Sequence, residues 1–329
     1  MIVVTLVLLV LSVILIWKSS DWITDSLVPM AKRLGTSYIA VTTLLVSFIL
    51  SLPEIFTAIY SYFLGHLDIG LGVVIGSVMA NIGLIVGVSA IIKPLRVEKS
   101  VVIRDGIFMV VIAAVVLLFG SDLHYSRTEG LVLLLLFVPY AINVWSFERW
   151  RPTKNQKQKV ESVKRNLSLF GHSFLKLKPS SLTFILGSVV LIGGSYLFSS
   201  SLIQLNETLQ LPEILVGILF GAIGTSMPNI AAAIQGTRKG YADAAITETF
   251  GSNIFTLLIT LGLVVVLSPF SIAGNVFYFD LTWMIIITLL FVALIFKGYK
   301  YKEASLTRYE GIALLLFYIM LIAVHVLLF

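Results

Sequence analysis

The chain contains no cysteine and little charge. Of its 329 residues, 12% are charged and 58% are hydrophobic, and the mean hydropathy is +1.01. The absence of cysteine excludes disulfides and thiolate-bound metal or cofactor centres. So few charged residues cannot cover the surface of a water-soluble globule of this length. The composition therefore predicts a polytopic membrane protein without a large soluble domain.

Ten apolar windows are each long enough to cross a hydrocarbon layer of roughly 30 Å as a helix. The predicted spans lie at about 2–26, 38–63, 69–92, 102–119, 129–147, 180–203, 213–236, 243–267, 276–296 and 309–328. The predicted fold is thus an all-α polytopic membrane protein with ten transmembrane helices. The connections are short except for 148–179, whose many basic residues predict a polar linker and not a catalytic domain.

The positions of lysine and arginine predict the orientation, because cytoplasmic loops retain these residues. If the 148–179 linker is cytoplasmic, both termini lie outside, and 22 of the 23 Lys and Arg residues fall on the cytoplasmic side. Only Arg127 falls outside. The net charge of +6 is then explained by orientation in the cell membrane and contact with anionic lipid. Neither nucleic acid nor an obligate protein partner is indicated.

The chain repeats itself at a shift of 175 residues. "SLPEIFTAI" at 51–59 aligns with "SMPNIAAAI" at 226–234, and "GS" at 76–77 aligns with "GS" at 251–252. Further along, "RTEGLVLLLLF" at 127–137 resembles "RYEGIALLLFY" at 308–318 at a shift of 181. We therefore predict two five-span domains, 1–147 and 180–329. Because five is odd, the second copy enters the membrane from the opposite side, an arrangement typical of transporters that work by alternating access.

Two prolines at equivalent positions, Pro53 and Pro228, lie deep within predicted spans two and seven. Proline removes an amide donor and clashes with the carbonyl one turn earlier, so carbonyls near residues 49 and 224 are expected to lack helical partners. An unpaired carbonyl is costly in hydrocarbon. A neighbouring helix or hydroxyl group could satisfy each carbonyl, but the symmetric occurrence favours a bound cation.

Polar side chains accompany these prolines. Glu54 is an acid near the predicted centre of the bilayer, where a carboxylate normally handles an ion or a proton. Ser47 and Ser51 share its helix face. Hydroxyl and amide groups occupy the corresponding faces of spans three, seven and eight: Ser77, Asn81, Thr225, Ser226, Asn229, Ser252 and Thr256. Oxygen ligands of this kind suit hard cations, although a lone serine or threonine often bonds only to its own helix.

Small residues line predicted spans three and eight. They include Gly72, Gly76, Gly83, Gly87, Gly251 and Gly262. Glycine lets helix backbones approach closely in a membrane. We expect these residues to pack spans three and eight against spans two and seven.

These motifs resemble those of the sodium/calcium exchanger family of the calcium/cation antiporter superfamily. "GTSMPN" at 224–229 and "GSNIF" at 251–255 are similar to the family's two phrases, "SLPE" at 51–54 keeps the end of the first, and "GSVMAN" at 76–81 is a looser copy of the second. The paired motifs thus occupy 47–81 and 222–256. The resemblance implies two inverted five-helix halves, with spans one and six sliding across the other eight. It implies exchange of Na⁺ for Ca²⁺ without a cofactor.

The resemblance also implies a ligand set centred on Glu54. Its further members are the Ser47 carbonyl, Ser51, Ser77, Asn81, the Ala222 carbonyl, Thr225, Ser226, Ser252 and, less closely matched to the family, Asn229 and Thr256.

The chain departs from this pattern in its charge. The family normally has a glutamate at the position of Asn229, often an aspartate at Thr256, and a threonine at Leu50. A single central acid predicts weak Ca²⁺ binding, because affinity follows the number of charged ligands. Glu248 lies one turn before Ser252, and our hypothesis is that it restores the missing charge. The alternative is that Glu248 is an interfacial residue near the cytoplasmic end of span eight.

The leading function is Na⁺-coupled Ca²⁺ antiport. An alternative keeps the fold and moves monovalent cations, protons or another divalent cation. A channel or a non-transporting sensor is a further alternative that the inverted repeat disfavours. An enzyme is not expected, because no intramembrane His/Glu metal motif or nucleophile pair occurs. His325, near the end of span ten, is interpreted as a lone interface residue.

Overall fold

The computed structural model describes residues 2–33, 38–149, 177–238, 244–297 and 303–328. Its helices follow the predicted spans. They are α1 Ile2–Arg33, α2 Tyr38–Phe63, α3 Leu67–Ile92, α4 Lys99–Asp122, α5 Arg127–Arg149, α6 Ser181–Leu209, α7 in two arms Glu213–Thr225 and Met227–Arg238, α8 at 244–267, α9 Val276–Lys297 and α10 Arg308–Leu328. Most of the predicted linker, 150–176, lies outside the described residues.

The chain is an integral membrane protein by the length and hydropathy of these helices. Among the described residues, eight helices are long and apolar enough to cross a membrane, and the bent α7 is a ninth candidate. The apolar segment Ser47–Phe63 of α2 is shorter than these membrane-spanning candidates. The mainly helical fold is confirmed, and the count of ten spans stays a prediction.

The long helices contain π-helical turns at equivalent positions of the two halves. Asn81–Val86 in α3 corresponds to Thr256–Thr260 in α8, and Val102–Gly106 in α4 corresponds to Val276–Leu281 in α9. A π turn widens the helix by one residue and often marks a functional site. The first pair begins at two predicted site residues, Asn81 and Thr256.

Four short strands, absent from the prediction, connect the halves at the ends of the helices: β1 Leu95–Glu98, β2 His124–Tyr125, β3 Phe270–Ser271 and β4 Glu303–Leu306. In the antiparallel pair β1–β4, Leu95 is opposite Leu306; in β2–β3, Phe270 is opposite Tyr125. Leu95 and Phe270 correspond by the shift of 175, and Tyr125 and Leu306 by the shift of 181. The two sheets are thus copies of one pairing at opposite ends of α4, which supports the predicted inversion.

The contacts between helices also occur in equivalent pairs, in which each helix is replaced by its equivalent in the other half. The helix α3 packs on α7 as α8 packs on α2, α5 packs on α8 as α10 packs on α3, and α1 packs along α6. At one central contact Gly72 faces Gly217, and a Cβ atom on either would collide with the backbone of the other helix. The predicted packing against spans two and seven is confirmed for Gly72, Gly76 and Gly251, and it is wrong for the other three glycines. Gly83 and Gly87 face α10, and Gly262 faces α5, not spans two and seven.

The interpretation of His325 as a lone interface residue is wrong. Its Nδ1 lies 2.8 Å from Asp280 Oδ1 in α9, and both side chains are buried. The equivalent of Asp280 in the first half, Asp105, accepts hydrogen bonds from Nε and Nη2 of Arg104, each at 2.7 Å. Each half therefore buries one acid at a π turn beside a basic partner, as intramembrane charges require.

We expect Gly217→Ala to destabilise the protein, because the added methyl group would overlap the backbone of α3 at Ile69 and Gly72. Overpacking of this kind costs about 1–3 kcal/mol. The measurement is thermal unfolding in detergent. The control is Gly193→Ala in α6, whose methyl group would meet no atom within 4 Å. Equal unfolding temperatures for the two variants would contradict this account of the α3–α7 contact.

Candidate functional site

Six of the predicted site residues are joined by contacts where α2, α3, α7 and α8 cross: Ser51, Glu54, Asn81, Ser226, Asn229 and Ser252. At the centre Glu54 is fully buried, and its Oε1 accepts a hydrogen bond of 3.1 Å from Ser226 Oγ of α7. Its second oxygen, Oε2, is also buried and has no hydrogen-bond partner among the described residues. An acceptor of this kind is costly in hydrocarbon unless a proton or a cation occupies it.

Ser252 of α8 joins residues from all four helices. Its Oγ accepts hydrogen bonds from Asn229 Nδ2 at 2.9 Å and Asn81 Nδ2 at 3.4 Å, and it lies 3.3 Å from Ser51 Oγ. A hydroxyl group that accepts two amide protons has its one proton left to donate. Ser252 therefore donates to Ser51, and both amide groups direct their nitrogen atoms to Ser252.

The same arrangement leaves a set of oxygen atoms without partners. Each is buried and makes no hydrogen bond with a described residue: Glu54 Oε2, Ser77 Oγ, Asn81 Oδ1, Asn229 Oδ1 and Thr256 Oγ1. These atoms come from all four crossing helices. Buried polar atoms in native proteins are normally satisfied, so these five oxygens are candidate ligands for an ion. Carboxylate, amide and hydroxyl oxygens are ligands of hard cations. We call these five residues, with Ser51, Ser226 and Ser252, the oxygen cage.

Asn253 is a positioning residue that the sequence analysis did not select. Its Nδ2 donates to the Val78 carbonyl at 3.3 Å, and its Oδ1 accepts from Asn81 Nδ2 at 2.9 Å. Asn81 must therefore present its nitrogen to Asn253, which leaves its own oxygen as the unpaired acceptor. The available signals were the position of Asn253 within "GSNIF" and its equivalence to Val78 in the repeat.

The two prolines have different effects on their helices. The helix α2 continues through Pro53, whereas α7 breaks at Ser226, with a bend of 50° between its arms. The Ala222 carbonyl accepts the Ser226 N–H at 3.1 Å and the Thr225 hydroxyl at 3.3 Å. This carbonyl therefore has partners already, and a cation would have to share it. The Thr225 hydroxyl, likewise, donates to its own helix.

Ser47 and Glu248 flank the cage on the side where α2 and α8 begin. Ser47 is buried, and a Cβ atom on Gly251 would overlap its hydroxyl group, so the two helices touch there. Glu248 lies one turn before Ser252; it is partly exposed, but its Oε1 is buried and has no hydrogen-bond partner among the described residues.

The charge of the site is low. In the part of the chain that the structure describes, no group of three or more His, Cys, Asp or Glu side chains is placed to hold a metal ion. Glu54 is the only acid within the cage as defined. The cage therefore offers one formal negative charge among neutral oxygens, as expected from Asn229 and Thr256.

Comparison with known families and relatives gives matches over nearly the whole chain. The family model described as "Sodium/calcium exchanger protein" matches residues 4–146 and 179–327. The sodium/calcium exchanger MaX1 of Methanosarcina acetivorans is 28% identical, over 98% of this chain and 99% of that protein. The putative antiporter CaxA of Alkalimonas amylolytica is 27% identical, over 97% of each chain.

Among solved structures, the fold is similar to that of the sodium-calcium exchanger NCX_Mj. One structure, soaked with 2.5 mM Na⁺ and 0.1 mM Ca²⁺, gives a TM-score of 0.66 at 25% identity and covers 98% of this chain and 99% of that one. Another, soaked without either ion, gives 0.63 at 24% identity with the same coverage.

We expect Asn253→Ala to weaken cation binding by about tenfold, because Asn81 loses the partner that orients its oxygen. The measurement is the rise in unfolding temperature with added Na⁺ or Ca²⁺, from which the affinities follow. Asn275→Ala is the control, since the Asn275 side chain bonds to the Val276 amide at the start of α9. Unchanged ion affinities in Asn253→Ala would contradict the positioning role.

Proposed function

Because the chain belongs to the sodium/calcium exchanger protein family, we propose that it is a secondary cation antiporter that exchanges Na⁺ for Ca²⁺ at the oxygen cage. The observation that carries this proposal is the unpaired Glu54 Oε2 at the crossing of the two halves. Burial of an unpaired carboxylate oxygen costs more free energy than burial of the neutral oxygens around it, so a bound cation stabilises it most. Na⁺ and Ca²⁺ would therefore compete for the same carboxylate, and competition for one site is the basis of exchange.

The residues of the cage have different roles in binding a cation. Glu54 supplies the charge, and Ser226 holds its other oxygen from the opposite half. Asn81 and Asn229 direct oxygen atoms into the cage because their nitrogen atoms are engaged by Ser252. These oxygens replace water around a dehydrated cation without reorganising. The implied contributions of Ser47 and the Ala222 carbonyl remain part of this proposal.

Access to the cage would alternate between the two sides of the membrane. The helices α1 and α6 pack along each other, and α6 also packs on α2. Their shared movement over α2 and α7 would open one side at a time, as the inverted repeat favours. We assign the protein to the cell membrane with both termini outside and the 148–179 linker in the cytoplasm, on the distribution of Lys and Arg.

A second candidate function is antiport of monovalent cations or protons by the same fold. It is favoured by the neutral residues Asn229 and Thr256, which leave Glu54 as the only acid of the cage. A single Na⁺ or a proton balances one carboxylate, whereas Ca²⁺ would leave an uncompensated charge in a low-dielectric site. The two candidates therefore differ in the charge that the site must hold.

We expect a Na⁺ gradient to drive Ca²⁺ uptake into vesicles that contain the native protein, and Glu54→Gln to abolish it, because the variant removes the charge of the cage. Uptake of radiolabelled calcium, with and without the gradient, is the measurement. The control is Glu207→Gln, an exposed residue at the end of α6.

The remaining outcomes separate the alternatives. Full transport by Glu54→Gln would refute the site. Na⁺ or H⁺ flux without Na⁺-dependent Ca²⁺ movement would support the second candidate function. Flux that needs no counter-ion on the opposite side would indicate a channel.

A further inference from the structure

We propose that Glu248 and Ser47 form a second cation subsite at the end of the oxygen cage where α2 and α8 begin, and that Glu248 supplies the negative charge absent at Asn229. This inference rests on the proposed cation antiport and specifies how the site holds a divalent ion. With Glu54 and Glu248 together, the site carries two formal negative charges, which equal the charge of one Ca²⁺.

The position of Glu248 follows from the packing of α8 on α2. Gly251 and Ser47 touch at this contact. One turn earlier on α8, position 248 precedes both Gly251 and Ser252. The Oε1 atom of Glu248 is buried and has no hydrogen-bond partner among the described residues, so this carboxyl group is directed into the protein.

The repeat gives an independent view of the same geometry. Val73 is the equivalent of Glu248, and a Cβ atom on Gly221 of α7 would overlap the Val73 side chain. Position 73 thus points at the turn of α7 that precedes Ala222, the equivalent of Ser47. By the repeat, position 248 lies level with the turn of α2 that precedes Ser47, although α2 has no π turn there. The valine fills one end of the site with apolar atoms, whereas the glutamate places a carboxylate at the other end.

An interfacial role does not account for the Glu248 carboxyl group. A carboxylate at a membrane surface keeps both oxygens hydrated, but Glu248 Oε1 is buried and makes no hydrogen bond with any described residue. Glu248 is only partly exposed. A buried acceptor on a partly exposed side chain fits a residue that receives an ion from water and passes it inwards.

The subsite explains how a cage with one acid can hold Ca²⁺. Ca²⁺ affinity follows the number of charged ligands. A carboxylate beside Ser47 approaches from the start of α2 and α8, whereas an acid at 229 would approach from the second arm of α7. The site then has the same number of negative charges as a site with an acid at 229, but the second charge lies at a different position. Ca²⁺ should therefore depend on Glu248 more strongly than Na⁺ does.

The test measures binding of Ca²⁺ and Na⁺ to the purified protein by calorimetry, in parallel with vesicle flux. We expect Glu248→Gln to weaken Ca²⁺ binding by about tenfold and Na⁺ binding by less, since loss of one charged ligand penalises the divalent ion more. The double variant Glu248→Gln with Asn229→Glu should recover Ca²⁺ affinity to within about threefold of native. Glu207→Gln should bind both ions as the native protein does.

Each of the other outcomes refutes either the subsite or the proposed Na⁺/Ca²⁺ exchange alone. Native Ca²⁺ affinity in Glu248→Gln would refute the subsite. An equal loss for Na⁺ and Ca²⁺ that Asn229→Glu does not rescue would assign Glu248 a structural role and refute it too. Glu248-dependent Ca²⁺ binding without Na⁺-driven Ca²⁺ flux would leave the subsite supported and would refute the proposed exchange.

Discussion

The helices of the candidate site surround one buried carboxylate, Glu54, that is held from the other half of the chain. Glu54 receives a hydrogen bond from Ser226 across the interface between the halves, and its other oxygen has no described partner. A buried charge is tolerated only if the helices around it supply dipoles and an ion. The close contact of Gly72 with Gly217 and the π turns at Asn81 and Thr256 bring those helices and their oxygens to the carboxylate.

The predicted duplication accounts for the shared features of the two halves, and the proposed chemistry depends on the residues that differ between them. The sheets, the helix contacts and the π turns of α3, α4, α8 and α9 exchange when the halves are exchanged, whereas the π turn Gly217–Gly221 of α7 has no counterpart in α2. The site does not follow this symmetry: Glu54 corresponds to Asn229, and Val73 corresponds to Glu248. One copy therefore places its acid at the centre of the cage, whereas the other places its acid at one end. In the proposed site, the two ends of the cage therefore differ in charge as well as in the backbone of α2 and α7.

Much of this could be predicted from sequence, because hydropathy and the shift of 175 residues are local patterns. They located the helices, the pairing of the halves and the polar faces of α2, α3, α7 and α8. Contacts between distant elements could not be predicted in the same way. His325 carries no signal of Asp280, 45 residues earlier in the chain. The positioning role of Asn253 is evident only in the structure, where its Nδ2 donates to the Val78 carbonyl. Pro53 and Pro228 occupy equivalent positions, yet only α7 breaks, and neither proline carries a signal of this difference.

The central claim is that the unpaired oxygens of the cage hold a cation against Glu54. The most direct measurement is a crystal structure with Sr²⁺, the heavier analogue of Ca²⁺, located by anomalous scattering. The account predicts a peak in the cage, within roughly 2.3–2.7 Å of Glu54 Oε2 and in contact with oxygens from α3, α7 and α8. An empty cage at saturating Sr²⁺, or a peak bound only by residues outside it, would contradict the account.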